Sequence, residues 1–293
     1  MPAVSVIIPN YNHAQYLEQR INSVLQQTYR DFEVIIIDDH STDNSRDVIE
    51  QYRDNEHVSK IIYNDTNSGG PFKQWERGIN EASAEWVWIA ESDDHADPQF
   101  LETLLKVAEK HANTGIAFSG SNWIDDKGKV GHDLSMHIKS FYKTGLQAIR
   151  ELLYWQCAVQ NVSSAIIRTD LAKPAIKGLT RYKACGDWIF YTRVLHQGNL
   201  VYTADKLNNF RWYHNNISNS AQKDGYWLKE GIEVLDNIDT AKVKFSFTEL
   251  LRVVKFWTTM IMRSKNNTKK ERGVLGNFIK RYIKPVKNAR YGQ

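Results

Sequence analysis

The chain has 293 residues, of which 42% are hydrophobic and 12% aromatic, so it can bury a core and is not intrinsically disordered. It has no run of eighteen apolar residues and no N-terminal signal-peptide pattern, so we expect a cytoplasmic protein. Two cysteines are too few for a disulfide framework or a thiolate metal site.

Charge is distributed unevenly along the chain. Residues 240–293 hold 14 of the 38 Lys and Arg residues but 2 of the 34 Asp and Glu residues. The preceding part is therefore acidic overall and the last part strongly basic, which predicts different partners for the two.

The first 125 residues alternate between short β-branched runs and amphipathic segments. In one such segment Leu17, Ile21, Val24 and Leu25 fall on one helical face, and another segment begins at Pro98. Alternation of strand and helix predicts a parallel α/β sheet. The runs typical of strands are 4–9, 32–39, 58–64, 85–92 and 115–121.

From about residue 126 the pattern becomes less regular. Residues 143–155 and 182–198 are typical of helices, and two further helix-like stretches with interleaved basic and aromatic residues follow after about 239. We therefore divide the chain into residues 1–125, residues 126–239 and a basic helical C-terminal extension, residues 240–293.

Three predicted strands end in polar clusters, PNYN, DDHSTD and ESDDHAD. Ligands of parallel α/β sheets bind outside the carboxyl ends of the strands, so we expect these loops to line one crevice. Asp38 and Asp39 could accept hydrogen bonds from a ribose hydroxyl or a base N–H. Alternatively, the second cluster is a turn in which Ser41, Thr42 or Asp43 caps the next helix. The absence of G-x-G-x-x-G argues against a Rossmann dehydrogenase.

The stretch WIAESDDHADP, residues 88–98, crowds four carboxylates at one strand end, where like charges repel. Asp97 suits a helix N-cap before Pro98. The other three, Glu91, Asp93 and Asp94, suit a hard divalent cation such as Mg²⁺ or Mn²⁺, which binds through one or two carboxylates plus substrate phosphates. These acids lie beside the predicted crevice, which has the size of a nucleotide. The predicted ligand is therefore a nucleoside diphosphate that a metal ion joins to the carboxylates.

Together these motifs resemble those of the inverting family 2 glycosyltransferases, which have the GT-A fold. The likeness rests on residues 4–45, on NSGGPFKQWERGI and on WVWIAESDDHADPQFL, in that order and spacing. It is strong over residues 3–125 and continues to about residue 215 through CGDWIF and FRWYHNNIS. The resemblance implies a mostly parallel, Rossmann-like sheet flanked by helices. Residues 1–125 would form the nucleotide-sugar-binding half of the GT-A domain and residues 126–239 the acceptor-binding half.

The resemblance also implies roles for particular residues. Tyr11 would stack on the base, Asp39 would accept from its N–H, and Asp93 would face the ribose or the metal. His214 would be a third metal ligand, and Arg211, just before it, could face the diphosphate. The implied nucleotide-binding set is Pro9, Tyr11, Asn12, Asp38, Asp39, Lys73 and Asp93, and the implied metal set is Asp93, Asp94 and His214.

Two departures from the family pattern affect this site. Glu91 stands where the D-x-D signature has its first acid, which keeps the charge. Trp75 and Glu76 stand where the family usually has an Arg-Asn pair, so an expected basic contact to the nucleotide is missing. Lys73 or Arg77 could supply it, although both also suit a solvated helix face, and Trp75 suits a packing role.

Inverting transfer needs a base that takes the acceptor proton as the hydroxyl attacks the anomeric carbon. Asp187 matches the position of the family's base, whereas its local sequence alone favours a helix N-cap. Trp188 would then be an acceptor platform, because aromatic faces pack on sugar C–H surfaces.

The sequence therefore predicts a metal-dependent inverting glycosyltransferase that uses a UDP-, dTDP- or GDP-sugar and a glycan or lipid-linked acceptor, in synthesis of a bacterial surface polysaccharide such as O-antigen. A nucleotidylyltransferase should show a Gly-rich, Arg-containing loop after the first strand, which PNYNHAQYL lacks. A non-catalytic nucleotide-sugar-binding protein would lack the base. We predict no nucleic-acid partner, because no reader motif occurs.

The C-terminal extension has the composition of a helix that lies on an anionic membrane. The alternative is a helical appendage whose apolar stripe packs on the catalytic domain. The residues concerned are the basic Lys255, Arg263, Lys269, Lys270, Lys280, Arg281 and Lys284 and the apolar Phe256, Trp257, Met260, Phe278 and Tyr282.

Overall fold

The computed structural model describes residues 2–133, 137–212, 225–264 and 268–283. The first part follows the predicted alternation of strand and helix. Its elements are β1 (Val4–Asn10), α1 (Ala14–Leu25), β2 (Phe32–Asp38), α2 (Ser45–Glu50), β3 (Val58–Tyr63), α3 (Pro71–Glu81) and β4 (Trp86–Ile89).

The rest of the chain contains shorter and more varied elements. The next are β5 (His95–Ala96), α4 (Phe100–Glu109), β6 (Thr114–Ile124), β7 (Val130–Asp133), β8 (Phe141–Lys143) and α5 (Gly145–Ala148), which continues as a π-helical turn. They are followed by β9 (Ala165–Arg168), α6 (Thr169–Ala175), α7 (Gly186–Leu195), β10 (Asn199–Arg211), α8 (Tyr226–Gly231), α9 (Phe247–Arg263) and α10 (Lys269–Ile283).

The strands form one sheet in the order β3-β2-β1-β4-β9-β6-β10-β5, with β7 beside β6 and β8 beside β10. The first four strands are parallel, as predicted. The predicted fifth strand, β6, does not extend this group, because β9 lies antiparallel between β4 and β6. The α/β fold class with a helix-flanked sheet is thus confirmed, and the second half of the sheet is mixed.

Both faces of the central strands are buried, which explains their continuous apolar runs. Ile7 and Ile37 pack into a cluster with α3 and α7, while Ile8 and Ile36 pack on the other side against α1 and α4. The predicted apolar face of α1 is confirmed, since Leu17, Ile21 and Val24 are fully buried there and Leu25 is half-buried.

The C-terminal helices share the first of these clusters. Trp257 of α9 and Phe278 of α10 are fully buried in the cluster that contains Trp188. The Trp257 indole N–H donates to the Tyr154 carbonyl oxygen at 2.8 Å. The predicted packing of the extension is therefore confirmed for its inner face, and the division into three parts stays a prediction.

Candidate active site

The loops after β1, β2 and β4 meet at one edge of the sheet, because β1 is parallel to both of its neighbours. The Thr42 backbone N–H donates to Asn12 Oδ1 at 2.7 Å, which joins the first two loops. His13 Nδ1 lies 2.8 Å from Ser92 Oγ, which joins the first and third. The predicted convergence of the three loops is confirmed.

Residues of the first two loops differ in how far their side chains are exposed at this edge of the sheet. Pro9 is buried, whereas Tyr11 is 45% exposed, as a ring that stacks on a base must be. Asp38 is buried, and its carboxylate accepts from the Asn10 amide at 2.8 Å and the Ser41 hydroxyl at 2.6 Å. Asp38 thus holds the loops together, and its predicted contact with the nucleoside stays a prediction.

Asp39 is enclosed by the loop before α3. Its carboxylate accepts from Asn64 Nδ2 at 2.6 Å, the Ser68 N–H at 2.9 Å and the Ser68 hydroxyl at 2.7 Å. A base N–H would have to share an oxygen with these donors or replace one. Lys73 is exposed and donates to the Ser68 carbonyl oxygen at 2.6 Å, so it contacts the same loop. The nucleotide contacts predicted for both stay predictions.

Asp94 lies inside the fold and not at the crevice. Its carboxylate accepts from the Arg211 backbone N–H at 2.9 Å and from Asn161 Nδ2 at 2.9 Å. Burial and the neighbouring Asp93 carboxylate raise the pKa of Asp94 above its usual range. These contacts give Asp94 a supporting role, and its predicted metal contact stays a prediction.

Arg211 is also buried, and the expectation that it faces a diphosphate is wrong. Its guanidinium donates to the Asp93 carbonyl oxygen at 2.8 Å and to Gln19 Oε1 at 2.8 Å. It also donates to main-chain oxygens of residues 125–126 and lies 4.3 Å from the centroid of the Tyr16 ring. Arg211 thus holds the backbone of Asp93, whose half-buried side chain lies at the strand end.

Arg20 is a site residue that the sequence reasoning missed. It is fully buried, donates to the Glu91 carbonyl oxygen at 2.8 Å, and brings Nη2 to 3.9 Å from the Asp94 carboxylate. Burial lowers its pKa to about 10, so it remains a cation at neutral pH. Its position in the sequence could have indicated this role, because the helical spacing of Leu17, Arg20 and Ile21 places Arg20 on the apolar face of α1. Part of the crowded negative charge is thus compensated by the protein itself.

Arg20→Met should lower the free energy of unfolding by about 3–5 kcal/mol, because it leaves the Asp94 charge buried without its cation. Urea denaturation measures this loss. In the double variant Arg20→Met/Asp94→Asn the stranded charge is absent, so the loss should be smaller than that of the single variant. A single variant within about 1 kcal/mol of wild type would contradict this role for Arg20.

The two departures from the family pattern contact each other. The Trp75 indole N–H donates to Glu91 Oε1 at 2.7 Å, and Trp75 packs against Phe72 and Phe190. The packing role predicted for Trp75 is confirmed. Burial and the Asp93 charge raise the pKa of Glu91 to about 8, so this carboxyl is mostly protonated at neutral pH. Glu91 therefore adds little to the repulsion within the cluster.

Asp187 lies in the first turn of α7, whose N-cap is Cys185, so Asp187 is not the cap. Its Oδ1 accepts from the Trp188 N–H at 2.8 Å, and Cys157 Sγ lies 3.7 Å from Oδ2. Burial raises the pKa of Asp187 to about 6, close to the range in which a general base works at neutral pH.

Glu230 holds the chain that leads into α7, a role that the sequence did not indicate. Its carboxylate accepts from the backbone N–H groups of Lys183, Ala184 and Cys185. Cys185 is the N-cap of α7, and Lys183 and Ala184 directly precede it. Glu230 therefore fixes the segment that carries Asp187.

Trp188 is a core residue, and the prediction of an acceptor platform is wrong. It is 1% exposed, donates to the Leu153 carbonyl oxygen at 2.7 Å, and packs against Trp227 and Trp257. A ring so enclosed has no face to offer a sugar. Its position in α7 points it inward, whereas the preceding Asp187 is half-buried.

The predicted metal ligand His214 lies outside the described residues. Within the described part of the chain no group of three or more His, Cys, Asp or Glu side chains is placed to hold a metal. Mg²⁺ is commonly bound through one or two carboxylates plus substrate phosphates, and Asp93 at the strand end suits that arrangement.

Comparisons with known proteins identify the family and the fold of this chain. The family model described as Glycosyl transferase family 2 matches residues 5–173. The chain is 40% identical over 115 residues to an uncharacterised glycosyltransferase of Nostoc sp., covering 39% of this chain and 35% of that protein. It is 31% identical over 136 residues to a Campylobacter jejuni GalNAc(5)-diNAcBac-PP-undecaprenol beta-1,3-glucosyltransferase, covering 46% of this chain and 43% of that protein. The chain thus spans less than half the length of these curated relatives.

Solved structures show the same fold. The structure of Staphylococcus aureus TarS in complex with UDP-GlcNAc has a TM-score of 0.68 and 21% identity, covering 96% of this chain and 80% of that chain. A second structure, of TarS residues 1–349, also has a TM-score of 0.68 and 21% identity, covering 95% of this chain and 80% of that chain. With the GT-A fold established and a family model that matches more than half of its length, the chain belongs to glycosyl transferase family 2.

Proposed function

We propose that the protein is an inverting glycosyltransferase that moves a sugar from a nucleoside diphosphate donor to a hydroxyl of a glycan or lipid-linked saccharide. The observation that carries this proposal is the half-buried Asp187 carboxyl at the start of α7, with its pKa raised to about 6. A carboxylate of that basicity can accept the acceptor proton at neutral pH.

The packing of α7 supports this role, because it joins the base to the strand-end crevice. A Cβ at Gly186 would lie 2.8 Å from the Phe72 ring, so α7 begins in close contact with α3. One turn along α3, Trp75 donates to Glu91 in the loop after β4. The base and the acid motif are thus linked through two aromatic side chains.

In the proposed reaction Asp187 removes the proton of the acceptor hydroxyl as its oxygen attacks the anomeric carbon, and the nucleoside diphosphate leaves from the opposite side. Tyr11 and the loops around Asp39 hold the nucleoside. A Mn²⁺ or Mg²⁺ ion held through Asp93 and the diphosphate would supply charge neutralisation to the leaving group.

The names of the relatives support a setting in bacterial surface polysaccharide synthesis. One is a Staphylococcus aureus poly(ribitol-phosphate) beta-N-acetylglucosaminyltransferase, 34% identical over 113 residues, which cover 38% of this chain and 20% of that protein. Another is the GalNAc(5)-diNAcBac-PP-undecaprenol beta-1,3-glucosyltransferase of Campylobacter jejuni. TarS has been solved with UDP and with UDP-GlcNAc, so UDP-sugars are the first donors to test.

The proposal is tested by a calorimetric and thermal-shift screen of UDP-, dTDP- and GDP-sugars, each with Mn²⁺ and with a chelator. We expect one base class to stabilise the protein, by about 2.7 kcal/mol at a hundred times its Kd, and only when the metal is present. Mn²⁺ without nucleotide is the control. If no nucleotide sugar shifts the unfolding transition, the proposed donor site is wrong; binding without transfer or hydrolysis would favour a non-catalytic protein.

A further inference from the structure

The two C-terminal helices each have an inner and an outer face. Val253, Trp257 and Ile261 of α9 are buried against the catalytic core, as is Phe278 of α10. Trp257 and Phe278, which the sequence suggested as membrane-facing residues, are therefore core residues and are not available to a bilayer. A surface partner could contact only the outer faces.

The outer face of α9 exposes large apolar side chains. Phe247 is 76% exposed, Leu251 is 51% exposed and Met262 is 77% exposed. They lie at spacings of four and eleven residues, which place them on one side of a helix with 3.6 residues per turn. Single exposed apolar residues are ordinary, but three aligned on one helix mark an interaction surface.

Cations accompany these apolar residues, whereas the acids of both helices are already engaged. Lys255 lies within the apolar stripe, and Arg252 and Arg263 lie beside it, all exposed. Glu249 accepts hydrogen bonds from Ser246 and pairs with Arg150, and Glu271 is buried. The outer face of α9 is therefore both apolar and positively charged.

We propose that the outer face of α9, defined as Phe247, Leu251, Arg252, Lys255, Met262 and Arg263, docks on an anionic lipid bilayer. The apolar side chains would enter the boundary between headgroups and acyl chains, and the cations would contact lipid phosphates. Within the described ranges no helix has both the length and the apolar character needed to cross a bilayer, so this contact is peripheral.

Charge complementarity favours this occupant over two others. A second copy of the chain would bring the Arg252, Lys255 and Arg263 cations of one face against those of the other. A nucleic acid would account for the cations but not for the exposed Phe247 and Met262. An anionic bilayer accepts both kinds of side chain on one helix.

Docking through α9 would bring the acceptor side of the enzyme to the membrane, a consequence that rests on the proposed function. Trp257 of α9 donates to the Tyr154 carbonyl oxygen, and Cys157, three residues further on, lies 3.7 Å from the Asp187 carboxylate. The membrane-facing helix and the proposed base are therefore joined through one short segment. A lipid-linked acceptor would reach the base from the bilayer side.

The test is flotation of the full chain with vesicles of phosphatidylcholine alone or with added phosphatidylglycerol, at low and high salt. One variant removes charge, Arg252→Gln/Lys255→Gln/Arg263→Gln, and one removes apolar contact, Phe247→Ser/Leu251→Ser/Met262→Ser. Exposed lysines elsewhere provide a matched control, Lys106→Gln/Lys110→Gln/Lys177→Gln.

Wild type and control should float with the anionic vesicles at low salt and lose binding at high salt. The charge variant should partition roughly 100-fold more weakly, from about 5-fold per basic residue. The apolar variant should also bind more weakly. No flotation of the wild-type chain, or flotation of both face variants like the control, would overturn the proposal.

Hydrolysis of the nucleotide sugar in solution should be unchanged in both face variants, because none of these residues belongs to the proposed active site. This readout separates the two proposals. If the wild-type protein does not hydrolyse any nucleotide sugar, the proposed reaction is wrong. The flotation result would still decide the membrane contact.

Discussion

Replacing Asp187 with Asn is expected to slow sugar transfer by roughly 10²- to 10⁴-fold while the donor still binds. The amide keeps the shape of the side chain and can still accept from the Trp188 N–H, as Oδ1 does at 2.8 Å. It cannot take the acceptor proton. Calorimetric titration of the donor and initial rates of transfer, or of donor hydrolysis without acceptor, separate binding from chemistry.

Asp170 provides a matched control, because it also lies in the first turn of a helix and its Oδ1 accepts from the Leu171 N–H at 3.0 Å. It is exposed and lies in α6. Asp170→Asn should leave the transfer rate unchanged. Transfer by Asp187→Asn within a few-fold of wild type would rule out Asp187 as the base.

The same assignment predicts a pH dependence. Because burial raises the pKa of Asp187 to about 6, the wild-type rate should fall as the pH drops through about 6 and level off at higher pH. The groups near its carboxylate include Cys157, whose thiol pKa is raised by burial and which stays neutral in this range, and the Glu230 carboxylate. If the rate of Asp187→Asn falls over the same pH range, the pH dependence belongs to another group.

The second large effect is expected at Asp93. Asp93→Ala should lower donor affinity in the presence of Mn²⁺ by at least about 10- to 100-fold, the loss typical of even an outer partner of a metal site. Titration of the nucleotide diphosphate with and without Mn²⁺ measures the change. The fold should be retained, because the Asp93 carbonyl oxygen still accepts from Arg211.

Asp94→Asn should behave differently, although the two residues are adjacent. The buried Asp94 pairs with Arg20 and Asn161, so its replacement should lower the free energy of unfolding and leave the Mn²⁺ dependence of binding in place. Asp97→Ala controls for the lost charge, since Asp97 accepts from the Gln99 N–H in a local turn. If Asp94→Asn loses the Mn²⁺ dependence of binding and Asp93→Ala keeps it, then Asp94 and not Asp93 holds the metal.

Much of the frame of this site follows from the sequence. Continuous apolar runs such as residues 4–9 and 32–39 require burial on both faces, and helices between them require parallel strands. Parallel neighbours bring their carboxyl ends to one edge, which is why the meeting of the three polar loops could be predicted. The alternation of apolar positions likewise predicted the buried face of α1.

The direction of the later strands could not be predicted, because a short apolar strand has the same pattern in a parallel or an antiparallel pair. β9 could therefore be placed between β4 and β6 only by the tertiary structure. For the same reason, the sequence did not show that residues from distant segments, such as Asn161 and Arg211, surround Asp94.

The sequence by itself determined that acids gather at the end of β4 and that a basic segment ends the chain, and its resemblance to a family marked Asp187 as a base candidate. Tertiary structure alone decided which of these side chains face the crevice or solvent. Asp94 and Trp188 turn inward, Arg20 lies beneath the acids, and α9 divides its apolar residues between core and surface. The physical reason is that local spacing sets the side of an element on which a residue lies, whereas burial depends on what packs against that side.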